Sequence, residues 1–220
     1  MREKVNGFVG VMALTILCIV SGLCMVWGTA PVVLAVYVAA CAVCGRYMIT
    51  CIGCAAGVVA GSMGIAVLLH ADEYMIPGPV YSGVMVTEKY LVLLGLAMCL
   101  MKIVYSRNSK AYVRVIVVVA AAVLMGNIVV YVDNMLMAAA YGVVEAAIFL
   151  CASVILKPGI GLLYTYICGD ASDVEKDGSW NISQGIVSLM VLAAVVLWVV
   201  PGEDIYGVNP AFMLALVLIL

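Results

Sequence analysis

Charge is what this chain has least of. Asp, Glu, Lys and Arg make up 10% of its 220 residues, against about 25% in an ordinary soluble domain. So few charges cannot cover a water-facing surface, and no stretch is polar and long enough to form a second, soluble domain. Residues 1–220 therefore read as a single membrane domain. The basic residues are nowhere dense enough to point to nucleic acid. The single His, His70, has no Ser or Cys nucleophile placed against it, so a hydrolase site is not expected. No catalytic or cofactor motif rises above background, and no cofactor or metal is expected. The start, Met1-Arg2-Glu3-Lys4 and then an uncharged run over 5–27, resembles a secretory leader but lacks a small-x-small cleavage site. Leu23 before Cys24 also removes a lipoprotein reading. The run is long enough to span, so it reads as an uncleaved first helix.

What the chain does have is apolar sequence in long blocks. Hydrophobic residues make up 67% and the mean hydropathy is +1.27. A spanning helix needs roughly 20 apolar residues, and a backbone crossing lipid must satisfy its own hydrogen bonds, which makes such runs helical. The fold class is therefore all-α, a polytopic transmembrane helical bundle of about 7–8 spans. The blocks predict helices over 7–27, 29–45, 47–69, 87–105, 113–132, 135–156 and 182–200. Pro31 is tolerated in the first turn of the second. An eighth helix begins near Pro210 and stops at Leu220, too short to cross, which leads us to expect a piece of a longer protein. Two connections are longer. The segment 70–86 carries Pro77-Gly78-Pro79 and reads as a loop or re-entrant piece. The segment 157–181 has an apolar half at 160–168 that fits the membrane interface and an acidic half at 170–177.

Lys and Arg bias in short loops sets orientation. With the N-terminus in the cytoplasm, the inner side holds Arg2, Lys4, Arg46, Lys102, Arg107, Lys110, Arg114, Lys157 and Lys176, and the outer side holds only Lys89. The outer loops are neutral or acidic, with Asp72, Glu73, Asp133, Glu203 and Asp204. The expected location is thus the inner (plasma) membrane. Aromatic residues at helix ends read as interface anchors: Trp27, Tyr47, Tyr90, Tyr105, Tyr112, Tyr131, Trp180 and Trp198. Lys102 is expected to snorkel, and Arg107, Lys110 and Arg114 to mark orientation first and contact anionic lipid second. The sequon at Asn181 falls on the inner side and reads as chance.

Three features could carry more than packing. Gly53, Gly57 and Gly61, at four-residue spacing, put a small face on the third helix that lets another backbone approach. Packing inside the bundle is the plainer reading, and self-association the other. Cys41-x-x-Cys44 and Cys51-x-x-Cys54 match a metal-ligand pattern. They lie in apolar helices, no His accompanies them, and the total of nine Cys is odd, so they read as small, reduced core residues. Glu145 sits near the middle of the sixth helix, where a carboxylate must be neutral, paired or hydrated. Its reading is a proton, ion or substrate ligand, or a structural Glu bonded to Tyr141 or to Asn127 on the fifth helix.

Three strings resemble the N-terminal membrane region of the stage II sporulation protein E family, membrane-bound PP2C-type serine phosphatases of endospore formers. They are GTAPVVLAVYVAACAVCGRYMITCIGCAAGVVAG, YGVVEAAIFLCASVIL and ISQGIVSLMVLAAVVLWVVPGEDIYGVNPAFMLALVLIL. The resemblance implies about ten helices, a cytoplasmic N-terminus, and a cytoplasmic middle region and phosphatase domain beyond the membrane part. The family's acidic metal ligands lie in that soluble domain, so no catalytic residue carries over. Glu145 matches a Glu in the family's corresponding helix, whereas the high Cys content departs from the family. The implied function is a non-catalytic module that anchors and assembles a sporulation phosphatase, with the lipid bilayer, other copies of itself and cell-division or sporulation proteins as partners. The alternative from the residues alone is a small-molecule or ion transporter, or a substrate-binding membrane subunit, using Glu145.

Overall fold

The structure, a computed structural model, describes residues 2–23, 31–68, 83–105, 111–131, 134–168, 183–188 and 190. All regular structure among the described residues is helical. It comprises α1 (Arg2–Leu23), α2 (Pro31–Cys44), α3 (Tyr47–Leu68), α4 (Gly83–Ile103), α5 (Tyr112–Val130) and α6 (Met135–Cys168), with a further helical segment at 183–188. Among the described residues two helices, α5 and α6, are long and apolar enough to cross a membrane. Of the expected loop at 70–86, residues 83–86 belong to α4 instead; its remainder with His70, the loop residues Arg107 and Lys110, the acidic segment 170–177, most of the seventh helix and all of the eighth lie outside the described residues.

The organising element is the shortest helix. At 14 residues, α2 rises only about 21 Å, less than the roughly 30 Å of a bilayer core. It carries no charge, and a helix that is apolar all round belongs in an interior. Every residue from Pro31 to Cys41 is buried, and those from Val33 to Cys41 have no exposed surface. The other five helices close around it. α1 packs on α3, α3 on α4, α4 on α5, α5 on α6 and α6 back on α1, while α2 touches α1, α3, α4 and, most extensively, α6.

Local chemistry sets the turns. α2 ends at Gly45, whose φ of 62° lies in the left-handed region that glycine enters without a Cβ penalty. Its amide donates to the Cys41 carbonyl at 3.0 Å. Asn134 caps α6, its Oδ1 accepting the Met137 amide at 3.2 Å. Chain direction then alternates. The Tyr105 hydroxyl donates to the Ala42 carbonyl at 3.3 Å, which sets the ends of α4 and α2 together. The Tyr112 hydroxyl donates to the Ser153 carbonyl at 2.8 Å, which joins the start of α5 to the second half of α6. Arg46, Lys102, Arg114 and Lys157 consequently gather at one end of the bundle.

Two expectations need correction. The sixth helix does not stop at 156: α6 runs on through Lys157 and Pro158 to Cys168. Proline has no amide to donate and its ring crowds the preceding turn. Here the next amide, Gly159, donates sideways to the Ser188 hydroxyl at 3.0 Å, and Leu162 lies against Gly185. The apolar stretch 160–168 is thus packed helix, held by the segment at 183–188. The second correction concerns the aromatic anchors. Tyr90 and Tyr112 are buried at 0% and 7% exposure and belong to the core.

The glycine face of α3 is used inside the chain. A Cβ on Gly57 would run into the Ile19 carbonyl oxygen, and one on Gly22 would sit 2.6 Å from the Gly57 backbone. Gly53 faces the Thr15 carbonyl and the Cys18 side chain at 3.2–3.3 Å. Helices α1 and α3 therefore run parallel in backbone contact. Gly61 continues the spacing in α3, and its surroundings lie outside the described residues. Gly95 on α4, in contrast, has open space where a Cβ would go. Gly57→Ala is expected to lower stability by about 1–3 kcal/mol through overpacking. Gly95→Ala should leave stability unchanged or raise it by up to about 1 kcal/mol. Thermal unfolding of the detergent-solubilised variants compares them, and equal effects would refute the close α1–α3 contact.

Candidate functional site

Three helices each contribute one polar side chain to a single buried cluster. Lys89 lies six residues into α4, about 9 Å from its start. Asn127 is near the end of α5, and Glu145 lies ten residues into α6. Their exposures are 8%, 0% and 2%. Because α5 runs antiparallel to both neighbours, the end of α5 meets the first half of α4 and of α6, and the three side chains converge.

The hydrogen bonds close on themselves. The Lys89 ammonium has three protons and three acceptors: Glu145 Oε2 at 2.9 Å, Glu145 Oε1 at 3.1 Å and Asn127 Oδ1 at 3.2 Å. The Asn127 amide nitrogen donates to Glu145 Oε2 at 2.9 Å and to the Val123 carbonyl at 3.0 Å. This network also fixes which way the amide points, since a flip would set an NH2 group against the ammonium. The Lys89 ammonium lies 4.8 Å from the centroid of the Tyr90 ring as well, a cation–π distance. Glycines make the room: a Cβ on Gly126 would press on the Lys89 stem at 3.3 Å, and one on Gly142 would press on Leu124 and Asn127 at 3.2–3.4 Å.

Asn127 is therefore a partner of Glu145, as one reading of the sequence expected. Tyr141 is not: its ring stacks on Tyr131, 5.2 Å between centroids and 5° between planes. Lys89 was missed. The charge bias places it on the outer side without a partner in view, and it is the cation that compensates Glu145. The sequence carried a signal for this, because Lys89 is the one basic residue that breaks the sidedness of the other nine. A lone cation and a lone carboxylate are each costly in apolar surroundings, and together they compensate each other.

The paired cysteines come close only through α2 and α3, and they bond to polar neighbours. The Thr50 hydroxyl donates to the Arg46 carbonyl at 2.7 Å, which leaves its oxygen to accept from the Cys41 thiol at 3.1 Å. The Cys54 thiol donates to the Val33 carbonyl at 3.9 Å. Seven of the nine cysteines have described side chains, and all seven are free thiols. Among the described residues no group of three or more His, Cys, Asp or Glu is placed to hold a metal ion.

No protein-family model, curated protein or solved structure matches the chain. The geometry of the cluster thus carries the functional argument by itself. What it can do chemically is limited. Both carboxylate oxygens and all three ammonium protons are engaged inside the protein, so the cluster works as a strut between α4, α5 and α6. Lys89→Met, which strands the carboxylate, is expected to cost about 3–5 kcal/mol. Lys89→Met combined with Glu145→Met removes both charges and should recover most of that loss. A double-mutant cycle on thermal unfolding measures it, and a double variant as unstable as the sum of the two single ones would rule the strut out.

Proposed function

We propose that this chain is a multi-pass inner-membrane module that holds and assembles attached protein and has no catalytic chemistry of its own. The observation that carries this reading is the self-satisfied Lys89–Asn127–Glu145 cluster: the buried charges are used up in joining helices. The exterior supports it. Val92 and Val129 are 72% and 73% exposed, and Leu136 is 82% exposed. A protein in water rarely leaves an apolar surface of that kind uncovered, whereas lipid accepts it. On this reading α1 to α6, the helix begun at 183 and one near 210 make up about 7–8 spans. The N-terminus is cytoplasmic, with Arg46, Lys102, Arg114 and Lys157 at the cytoplasmic end. The paired Lys89 no longer counts against that orientation. Alkaline phosphatase fused after Tyr131 should be active and fused after Lys110 inactive, and the reverse pattern would invert the topology.

The particular protein that the resemblance favours is the membrane anchor of a sporulation serine phosphatase, bound to the bilayer, to other copies of itself and to division or sporulation proteins. The α1–α3 glycine contact is occupied within the chain, so self-association falls to another face. An antibody raised against this sequence tests the assignment on the native product. A band well above 23.1 kDa that dephosphorylates phosphoserine peptides supports it. A product of 23 kDa without that activity overturns it.

A second reading has a specific observation in its favour. A transport site gathers several polar groups within the membrane, and Glu145 has Lys89 and Asn127 beside it. Glu145→Gln keeps the shape and removes the charge. If this variant assembles normally but abolishes solute uptake into vesicles that the parent protein supports, the cluster is a transport site. Uptake absent from both leaves the strut as its role.

A further inference from the structure

Two adjacent charges on α4 face different ways. One step along a helix turns the side chain by about 100°, so Lys89 enters the buried cluster while Glu88 stands exposed on the flank of the bundle. We infer that Glu88 and the α4 face next to it dock a transmembrane helix of another protein, one that carries a Lys or Arg in its outer third. The inference rests on the membrane reading above and names the kind of partner that such a module holds.

Three observations carry it. The first is an unanswered charge. The Lys89 ammonium spends its three protons on Glu145 and Asn127, so none is left for Glu88. Among the described residues no ion pair or hydrogen bond reaches the Glu88 carboxylate. The second is depth. α4 has 21 residues and rises about 31 Å, close to the roughly 30 Å of a bilayer core. Glu88 lies five residues after Gly83, about 8 Å from the start of the helix. Val92, Gly95 and Cys99 share its side of α4, all four falling within about 60° around the axis. Val92 is 72% exposed and Cys99 is exposed, so this flank faces acyl chains, and a carboxylate on it is costly until something pairs with it. The third is shape. Gly95 has open space where a Cβ would go. With the small Cys99 one turn further on, it leaves a shallow dip that admits the backbone of another helix.

Charge decides the occupant. Among the described residues, a second copy in the same orientation brings no cation to this depth. Its Lys89 is committed to its own Glu145, and its Arg46, Lys102, Arg114 and Lys157 sit at the other end of the bundle. A helix of different sequence, with one basic residue at the height of Glu88, supplies the missing charge as Lys89 does for Glu145.

The test uses the full chain in phosphatidylcholine vesicles, mixed with a synthetic transmembrane helix of Leu and Ala. The helix carries one Cys, which copper phenanthroline crosslinks to Cys99, and Cys99→Ser identifies that bond. Three versions are compared. The first has a Lys eleven residues from its Cys, the spacing of Glu88 from Cys99. The second has Leu in place of that Lys, and the third has the Lys only four residues from the Cys, at the wrong depth. The first should crosslink about tenfold more than the other two, which is the scale of one polar contact between helices in lipid. Glu88→Gln should bring the first version down to the level of the second. Gly95→Leu fills the dip without changing charge and should weaken crosslinking too. Glu88→Gln should also leave the thermal midpoint of the isolated chain unchanged, whereas Glu145→Gln lowers it.

Three results would overturn the inference. The first is equal crosslinking of the three helices, or crosslinking indifferent to Glu88→Gln. The second is a midpoint that falls with Glu88→Gln as far as with Glu145→Gln, which puts the partner of Glu88 inside the chain. The third is a change in the mass of the chain's own oligomer with Glu88→Gln, which makes the occupant a second copy. Alkaline carbonate washing of membranes separates these failures from that of the underlying reading. Release of the chain refutes membrane embedding. A chain that stays in the membrane while the three helices crosslink alike refutes the docking face alone.

Discussion

An ammonium or a carboxylate within apolar surroundings has to be compensated where it stands, because neither water nor a distant counter-charge can reach it. Lys89 and Glu145 meet that condition with a 2.9 Å contact, and much of the bundle is arranged around it. The contact requires α4 and α6 to lie at a fixed height relative to each other. Asn127 on α5 requires a third helix at the same height. Gly126 and Gly142 then follow, since a larger residue at either position would push the helices apart. A one-residue slip of any of the three helices would turn its polar side chain away by about 100° and leave the others unsatisfied. The cluster therefore acts on register more than on net stability, which is the use of a buried ion pair that energetics best support.

The second constraint is the short central helix. Nothing in α2 can face water, and at 14 residues it cannot present both ends to the two sides of a bilayer. Burial on every side solves both problems at once, and four helices supply it: α1, α3, α4 and α6. The backbone contact between α1 and α3 at Gly22 and Gly57 draws these two helices together on one flank. The cluster ties α4, α5 and α6 on the other. Between them the ring is closed, and two polar side chains of α2 find partners at the start of α3: the Tyr37 hydroxyl donates to the Tyr47 carbonyl at 3.2 Å, and the Cys41 thiol meets the Thr50 hydroxyl at 3.1 Å.

Much of this architecture was legible in the sequence, and the reasons why part of it was not are physical. The apolar blocks and their breaks marked α1 to α5 to within a few residues, because hydropathy reports directly on which segments avoid water. The glycine spacing on α3 marked a close contact correctly, since only a missing Cβ permits one. The far end of α6 was misread because proline ordinarily ends a helix. Its continuation depends on Ser188, some thirty residues downstream, and no local rule reaches that far. The helical role of Tyr90 and Tyr112 was misread for a related reason: a tyrosine at a helix end serves equally well as an anchor in headgroups or as a buried donor, and only the neighbouring helix decides. Of the candidate site, Glu145 and Asn127 could be found from polarity within apolar runs. Lys89 could have been found too, had its position against the charge bias been read as a sign of pairing.

That charge bias acquires a sharper meaning once Lys89 is set aside. The cations that remain near the described surface all belong to one end, and they differ in their surroundings. The Lys157 ammonium lies 4.6 Å from the centroid of the Tyr112 ring, and that ring meets Tyr105 edge-on at 6.0 Å, so this cation is held against the protein. Arg46 and Lys102 line a cleft together with Tyr47, Met48, Ile49 and Met98. The opposite end has used its one cation internally. A bundle built this way is electrically one-sided: a charge-neutral polar cluster toward one end and cations at the other. Such a molecule gains electrostatic energy in a leaflet rich in anionic lipid and none by inverting. The ion pair and the one-sided surface are thus parts of one arrangement, because leaving Lys89 unpaired would weaken that asymmetry.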